Sequence, residues 1–350
     1  MKKRFFKNLF KHGNKHQASE LKGKAVKGDP ESQYQLALLY SIGQGVTQDY
    51  VEAGRWFKAA GEYGHPEAQN ALGLCYDHGT GVKRDPAKAV QWYARAAEQG
   101  HPSAQNNLGL SYNSGDGVSR DFSESVKWFR AAADQGYADG QFSLGLAYYR
   151  GEGVEQNYTK AMKWLHKSAE QGNSDAQYRL ARVLYKFAEN RAAYREAAKW
   201  FKQAAENSNL DAQFNLAMCY TDGKGVPENM VEAANWLERA AEAGHAKSLY
   251  ELGRRHFTGL GTLKNEQEGV RYFRVAAEQG SLQAMLQIAR CYRDAQGTSK
   301  DIVRAYRWFS VAAEYKAKNA TGERDALENE LSREELAKAK RKAEEFIENH

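Results

Sequence analysis

Proline and cysteine are scarce in this chain, with five prolines and three cysteines in 350 residues. Three cysteines cannot build the dense disulfide framework of a small secreted scaffold. So little proline leaves long stretches without the residue that breaks helices. No segment approaches the roughly 20 consecutive apolar residues that a membrane-spanning helix needs. A signal-peptide core is not expected either, because Lys7 and Asn8 interrupt Phe5, Phe6, Leu9 and Phe10. Charge of one sign is confined to one end. Residues 1–27 hold nine Lys/Arg against Glu20, a net of +8, while the whole chain is +6, so the remainder carries −2. The body of the protein is therefore not a basic nucleic-acid binder, and no nucleic acid is expected as partner.

What the chain does contain is a ruler. Trp56, Trp92, Trp128, Trp164, Trp200 and Trp236 stand 36 residues apart, the next step holds Tyr272, and the one after holds Trp308. A small residue opens each unit (Ser32, Ala68, Ala104, Gly140, Ala176, Ala212, Ser248, Ala284). Leu or Ile follows four residues on, and Tyr recurs four further on except at Leu184 and His256. Steps of four place these side chains on one stripe of a helix. Glycine pairs such as Gly79/Gly81 and Gly115/Gly117 then end that helix.

A second helix announces its own start. Asp49, Asp85, Asp121, Asn157, Asn229, Asn265 and Asp301 share one register, and Asp and Asn are favoured N-caps. Ala53/Trp56/Phe57/Ala60 gives an apolar stripe that recurs as Ala89/Trp92/Tyr93/Ala96. Gly64, Gly100 and Gly136 close it, and Pro30, Pro66 and Pro102 open the next helix, where a missing N–H costs nothing. Burying one Trp removes about 150–250 Å² from water, roughly 4–6 kcal/mol gross, so eight units supply a core without metal or disulfide.

The run Ala68-x3-Leu72-Gly73-x2-Tyr76-x2-Gly79-x-Gly81-Val82-x2-Asp85-x3-Ala89-x2-Trp92-Tyr93-x2-Ala96-Ala97-x2-Gly100 resembles the Sel-one-like repeat, a relative of the tetratricopeptide repeat. The resemblance implies an all-α fold, a right-handed α/α superhelical solenoid of about eight 36-residue helix–loop–helix units with the first helix of each lining the concave side. It also implies a non-enzymatic adaptor or scaffold with a protein or peptide as partner and no catalytic residue to carry over, and a bacterial, cytoplasmic protein is expected. Two other roles known for such proteins stay open: an immunity or cognate-binding protein that neutralises a secreted antibacterial effector, and a hydrolase of cell-wall or antibiotic substrates. The cysteine-rich secreted branch staples each unit with a cysteine pair. Here Cys75, Cys219 and Cys291 fall at one position of three different units, too far apart to pair, and read as small core residues in a reducing compartment.

Apparent chemical motifs reduce to structure. The Gly-x-Gly loops follow helices rather than strands and lack the third glycine of a phosphate-binding fingerprint. His65, His101 and His245 recur at one corner position and read as turn residues, so neither a metal nor a cofactor is expected.

The organisation expected is a basic tail over residues 1–18, a half-repeat cap over 19–31, eight repeats over 32–316, and a charged helical cap over 317–350 that starts from Ser332 and Glu335. Phe5, Phe6, Leu9 and Phe10 can form the apolar face of a basic helix, which leaves open a weak contact of residues 1–12 with an anionic inner-membrane surface. Two departures from the pattern carry functional information. Unit five has Phe187, Glu189 and Ala193 where the loop glycines and the cap belong, which points to longer or differently set helices. The sixth position after the opening residue holds Leu38, Leu74, Leu110 and Leu146, then Arg182, Met218, Arg254 and Arg290. Tyr178, Phe214 and Tyr250 run beside it, with Tyr149, Tyr185 and Phe257 at another neighbouring position. Guanidinium groups among aromatics suit an acidic peptide segment, which makes Arg182, Arg254, Arg290, Tyr178, Phe214 and Tyr250 the candidate partner-binding residues. Arginines paired with acids between units, and rings filling the inter-repeat core, is the alternative.

Overall fold

The computed structural model describes residues 15–349. The basic tail and the membrane contact considered for residues 1–12 therefore lie outside the described residues. Among the described residues every regular element is helical, and there is no strand. The chain divides into two compact units, Met1–Ala176 and Gln177–His350. In the first lie α1 (Lys15–Val26), α2 (Pro30–Ile42), α3 (Tyr50–Glu62), α4 (Pro66–His78), α5 (Pro86–Glu98), α6 (Pro102–Ser114), α7 (Phe122–Asp134), α8 (Ala138–Arg150) and α9 (Tyr158–Glu170). The second begins within α10 (Ser174–Lys186) and continues with α11 (Arg191–Glu206), α12 (Leu210–Asp222), α13 (Met230–Glu242), α14 (Ala246–Thr258), α15 (Glu266–Glu278), α16 (Leu282–Asp294) and α17 (Ile302–Glu314). It ends with the short α18 (Ala320–Asp325), a 3-10 turn and α19 (Arg333–Glu348). Each unit is an α/α repeat solenoid in which a helix packs on its pair-mate and on the next pair.

The boundaries follow from the residues that mark them. Asp49 and Asp121 accept backbone N–H bonds from the first turns of α3 and α7, and Asp85, Asn157, Asn229, Asn265 and Asp301 cap their helices in the same way. The reciprocal arm of a capping box closes at Ser332–Glu335, whereas Glu52 and Glu124 turn instead to Arg55 and Lys127. Pro30, Pro66, Pro86 and Pro102 are first residues of their helices. His65 and His101 are N-caps whose Nδ1 accepts from the N–H of Ala68 and Ala104, and burial depresses the pKa of His101, which keeps that nitrogen an acceptor. In repeat five α11 is 16 residues long rather than 13, starting early from the cap Asn190, as the missing glycines lead one to expect.

Where a loop has its second glycine, that residue does more than turn the chain. Gly117 has φ 78°, and a Cβ there would sit 2.3 Å from the carbonyl oxygen of Pro86, at the start of the preceding second helix. The loop of one repeat thus lies directly on the backbone of its predecessor.

A glutamine ladder, unanticipated from the sequence, ties the repeats together. Gln33, Gln69, Gln105 and Gln141 in the first unit, and Gln213 in the second, each donate Nε2 to a backbone carbonyl eight residues earlier. A residue thirty positions on then donates back to the side-chain oxygen: Gln99 to Gln69 at 2.7 Å, Gln135 to Gln105 and Gln171 to Gln141 at 2.8 Å, and Asn207 to Gln177 at 3.1 Å. The rung is broken where position thirty is Tyr63 or Ala243, and there the buried Oε1 atoms of Gln33 and Gln213 have no hydrogen-bond partner. Ala243 is an exposed C-cap with φ −83°, close to the −81° of its counterpart Gln99. Ala243→Gln is therefore expected to raise stability by about 1 kcal/mol by satisfying Gln213. Urea denaturation of the two proteins checks this, and an unchanged or lower midpoint refutes it.

The tryptophans are not equivalent. Trp92, Trp200, Trp236 and Trp308 are buried as a core ladder requires, but Trp56, Trp128 and Trp164 are only half-buried. The residue three positions on covers some of these rings but does not by itself set their burial. Arg95 and Arg239 lie 4.4 and 4.6 Å from the rings of the buried Trp92 and Trp236, but Lys167 lies 4.4 Å from the half-buried Trp164, and Ala59 and Ala131 follow Trp56 and Trp128. Beyond the eighth pair, Ala320 lies 36 residues after Ala284 and is fully buried at the start of α18, in the place of an opening small residue. Ala339, Ala343 and Phe346 then seat α19, with the Phe346 ring 5.2 Å from Trp308.

Candidate functional site

The residues singled out by the leucine-to-arginine switch all belong to the second unit, on α10, α12, α14 and α16. Arg182 is exposed, and its guanidinium lies 5.7 Å from the Tyr178 ring four residues earlier rather than on a carboxylate. Arg179 approaches the same ring at 5.9 Å. Tyr178 is itself buried, with its ring 6.2 Å from Phe201, and burial raises its phenol pKa. Phe214 and Tyr250 are half-buried, against His245 at 5.8 Å and Phe273 at 5.7 Å. The aromatic row thus divides its surface between the helix-pair core and the face that carries the arginines.

The three arginines differ in what they already hold. Arg254 is exposed and reaches back 2.9 Å to Glu251 of its own helix. Arg290 grips Glu323 of α18 through two nitrogens, at 2.5 and 3.2 Å, and Arg293 binds the same carboxylate at 2.9 Å. The two guanidinium groups hold Glu323 below the usual carboxylate pKa, with the Arg290 hydrogen bond the largest cause. In repeat eight a single carboxylate is thus held by two guanidinium groups within the chain itself. Tyr149, Tyr185 and Phe257 sit near the ends of their helices, where Tyr149 meets Tyr158, Tyr185 meets Tyr194, and Phe257 meets Phe273.

Sequence reasoning missed Arg255. It occupies the position of Cys75, Cys219 and Cys291, is 1% exposed, and bridges to Thr221 of the neighbouring repeat at 2.5 Å. The signal was available: every other repeat has an apolar or small residue there. The cysteines themselves are buried free thiols, with pKa values pushed by burial up to about 11 for Cys75 and about 12 for Cys219 and Cys291. They are core residues, not nucleophiles. Among the described residues no three His, Cys, Asp or Glu side chains are grouped to hold a metal, and no helix is long and apolar enough to cross a membrane. A shallow cleft between α17 and α19 is lined by Arg307, Lys342 and Phe346, with the guanidinium of Arg307 beside the Trp308–Phe346 ring pair, 4.8 and 5.8 Å from the two rings.

The family model of the Sel1 repeat matches eight consecutive stretches: residues 30–65, 66–101, 102–137, 138–173, 174–209, 210–245, 246–281 and 282–314. No functionally curated protein matches the chain. Among solved structures, a Sel1 repeat protein from Oxalobacter formigenes is 30% identical, covering 89% of this chain and 90% of its own, with a TM-score of 0.69. The protective antigen c5321 of uropathogenic Escherichia coli strains, which displays an SLR fold, is 32% identical over 95% of this chain and 79% of its own, with a TM-score of 0.55. Immunity protein Pa5087 from Pseudomonas aeruginosa is 18% identical over 61% of this chain and 81% of its own, with a TM-score of 0.41, a likeness too distant to bear on function.

Proposed function

The chain belongs to the Sel1 repeat family, and on that premise we propose that it is a non-enzymatic adaptor whose second unit binds a protein partner through the face formed by α10, α12, α14 and α16. The observation that carries this reading is the exposure of Arg182 and Arg254 on a rigid helical frame, beside the half-buried rings of Phe214 and Tyr250 and the ring of Tyr178. Planar guanidinium groups take carboxylates bidentately, and flanking rings add apolar area at small entropic cost. Arg290 belongs to the same row, and in repeat eight a partner carboxylate would compete with Glu323. In this reading α1 and α19 are the polar-backed caps that a stacked array needs at its ends. The buried, separated thiols favour a reducing compartment, and we place the protein in the cytoplasm.

Affinity capture on the full chain, followed by mass spectrometry, identifies the partner. The Arg182→Ala/Arg254→Ala variant is then expected to bind it at least tenfold more weakly, with its helical circular dichroism unchanged. Adding Arg290→Ala deepens the loss. Normal binding by the double variant overturns the assignment of the site.

A further inference from the structure

The loop that follows α14 departs from the polar pattern of most loops of its kind. Apart from repeat five, whose shortened loop holds Phe187 and Ala188, its counterparts carry polar residues at the position after the first glycine or its stand-in: Gln44, Thr80, Asp116, Glu152, Lys224 and Gln296. Repeat seven has Leu260 there and Leu263 three residues on, 44% and 90% exposed. Beside them, on the first turn of α13, Val231 is 59% exposed. The contact is direct, since a Cβ on Gly261 would meet the carbonyl of Met230. Apolar side chains gathered at one edge of a repeat otherwise edged with polar groups mark an interaction surface.

The same repeat carries the buried Arg255, and the two departures are connected. The Arg255 guanidinium donates to the carbonyl of Leu260 at 3.3 Å, to the carbonyl of Met230 at 3.5 Å and to Oγ1 of Thr221 at 2.5 Å. Its Nε is buried without a hydrogen bond, 3.7 Å from Glu251. A buried charge held by so few good bonds stabilises the fold poorly, and an apolar residue would fill the position better. Leu39 shows that the repeat accepts leucine there, fully buried. What the arginine supplies is a tie between the loop backbone bearing Leu260 and Leu263 and the helix start bearing Val231. A loop fixed before binding loses less entropy when a partner docks.

We propose that residues 259–264, together with the first turn of α13, form a preformed docking edge for an acidic amphipathic segment of a protein partner. This rests on the protein-binding reading above and extends it to a second contact. The exposed leucines and Val231 call for apolar side chains. Arg254 and Lys264, both exposed and bonded only to acids of their own segment, Glu251 and Glu266, call for carboxylates beside them.

The test uses the full chain as bait for a displayed library of random 12-residue peptides. Enriched peptides are expected to combine Leu, Ile or Phe with Asp or Glu, and to bind at least tenfold more weakly to Leu260→Ser/Leu263→Ser, a change at exposed positions that leaves the fold intact. Arg255→Leu keeps the core filled but unties the loop. It is expected to weaken binding several-fold and to speed amide exchange over residues 259–264. Peptides that bind Leu260→Ser/Leu263→Ser normally but fail on Arg182→Ala overturn the docking edge while leaving the adaptor reading standing. Enrichment of basic peptides overturns it, and so does leucine-dependent binding to phosphatidylglycerol vesicles with no peptide enriched.

Discussion

Gly117→Ala is expected to destabilise the first unit by about 3 kcal/mol or more, while Gly100→Ala costs about 1 kcal/mol. Both glycines have positive φ, 78° and 87°, so both substitutions carry the penalty of a side chain in the left-handed region. They differ in what the new methyl group meets. At Gly100 nothing lies within 4 Å, whereas at Gly117 the Cβ would sit 2.3 Å from Pro86 O, 2.4 Å from Pro86 C and 2.8 Å from Ala87 N. These are backbone atoms of the first turn of α5, and they cannot rotate away. Relief requires moving the loop off the preceding repeat, which opens the inter-repeat contact. Urea denaturation at 25 °C separates the outcomes. Equal losses for the two variants would show that the loop does not rest on its neighbour's backbone.

Trp308→Ala is expected to cost about 3–5 kcal/mol, and Trp128→Ala about half of that. Trp308 is 3% exposed, lies edge-on to Phe346 of α19 and is covered by the Arg307 guanidinium at 4.8 Å. Its removal leaves a cavity under two elements and unseats the C-terminal helix. Trp128 packs against the cluster around Tyr93 and Leu108 but keeps an open edge, so part of its area already faces water. Thermal or urea unfolding of both variants tests the ordering. A larger loss at Trp128 would mean that the half-buried rungs of the ladder carry the array.

The helices, their N-caps and their glycine stops could be read directly from the chain, because each is decided by residues within one 36-residue unit. Asp49, Asp85 and Gly79 act locally and act as expected. Contacts between residues thirty or more positions apart were harder to see. Gln69 and Gln99 recur in register, yet their hydrogen bond depends on how far a second helix runs back along the first helix of its own repeat. Glu323 lies in a charged stretch that resembles a solvated face, and only the placement of α18 brings it to Arg290 and Arg293. Arg255 follows Arg254 and looks like one more surface cation. Its burial is legible only by comparison with Cys219 and Cys291 at the same position. The candidate arginines were found from a switch in residue type, but what each one holds is set by side chains from other helices.

Repeat five alters its helix boundaries without altering its length. Its second helix gains three residues at the start and the loop before it shortens to match, so Trp164 and Trp200 remain 36 apart. For the gene this constancy has a mechanical meaning. Unequal crossing-over within such an array adds or deletes one whole unit of 36 codons, and every remaining helix keeps neighbours of the same kind. A slip of any other size would put the tryptophans out of phase with the helices they pack against. The reach of the exposed helical face can thus grow or shrink across generations in fixed steps, while the chemistry displayed on each step changes independently.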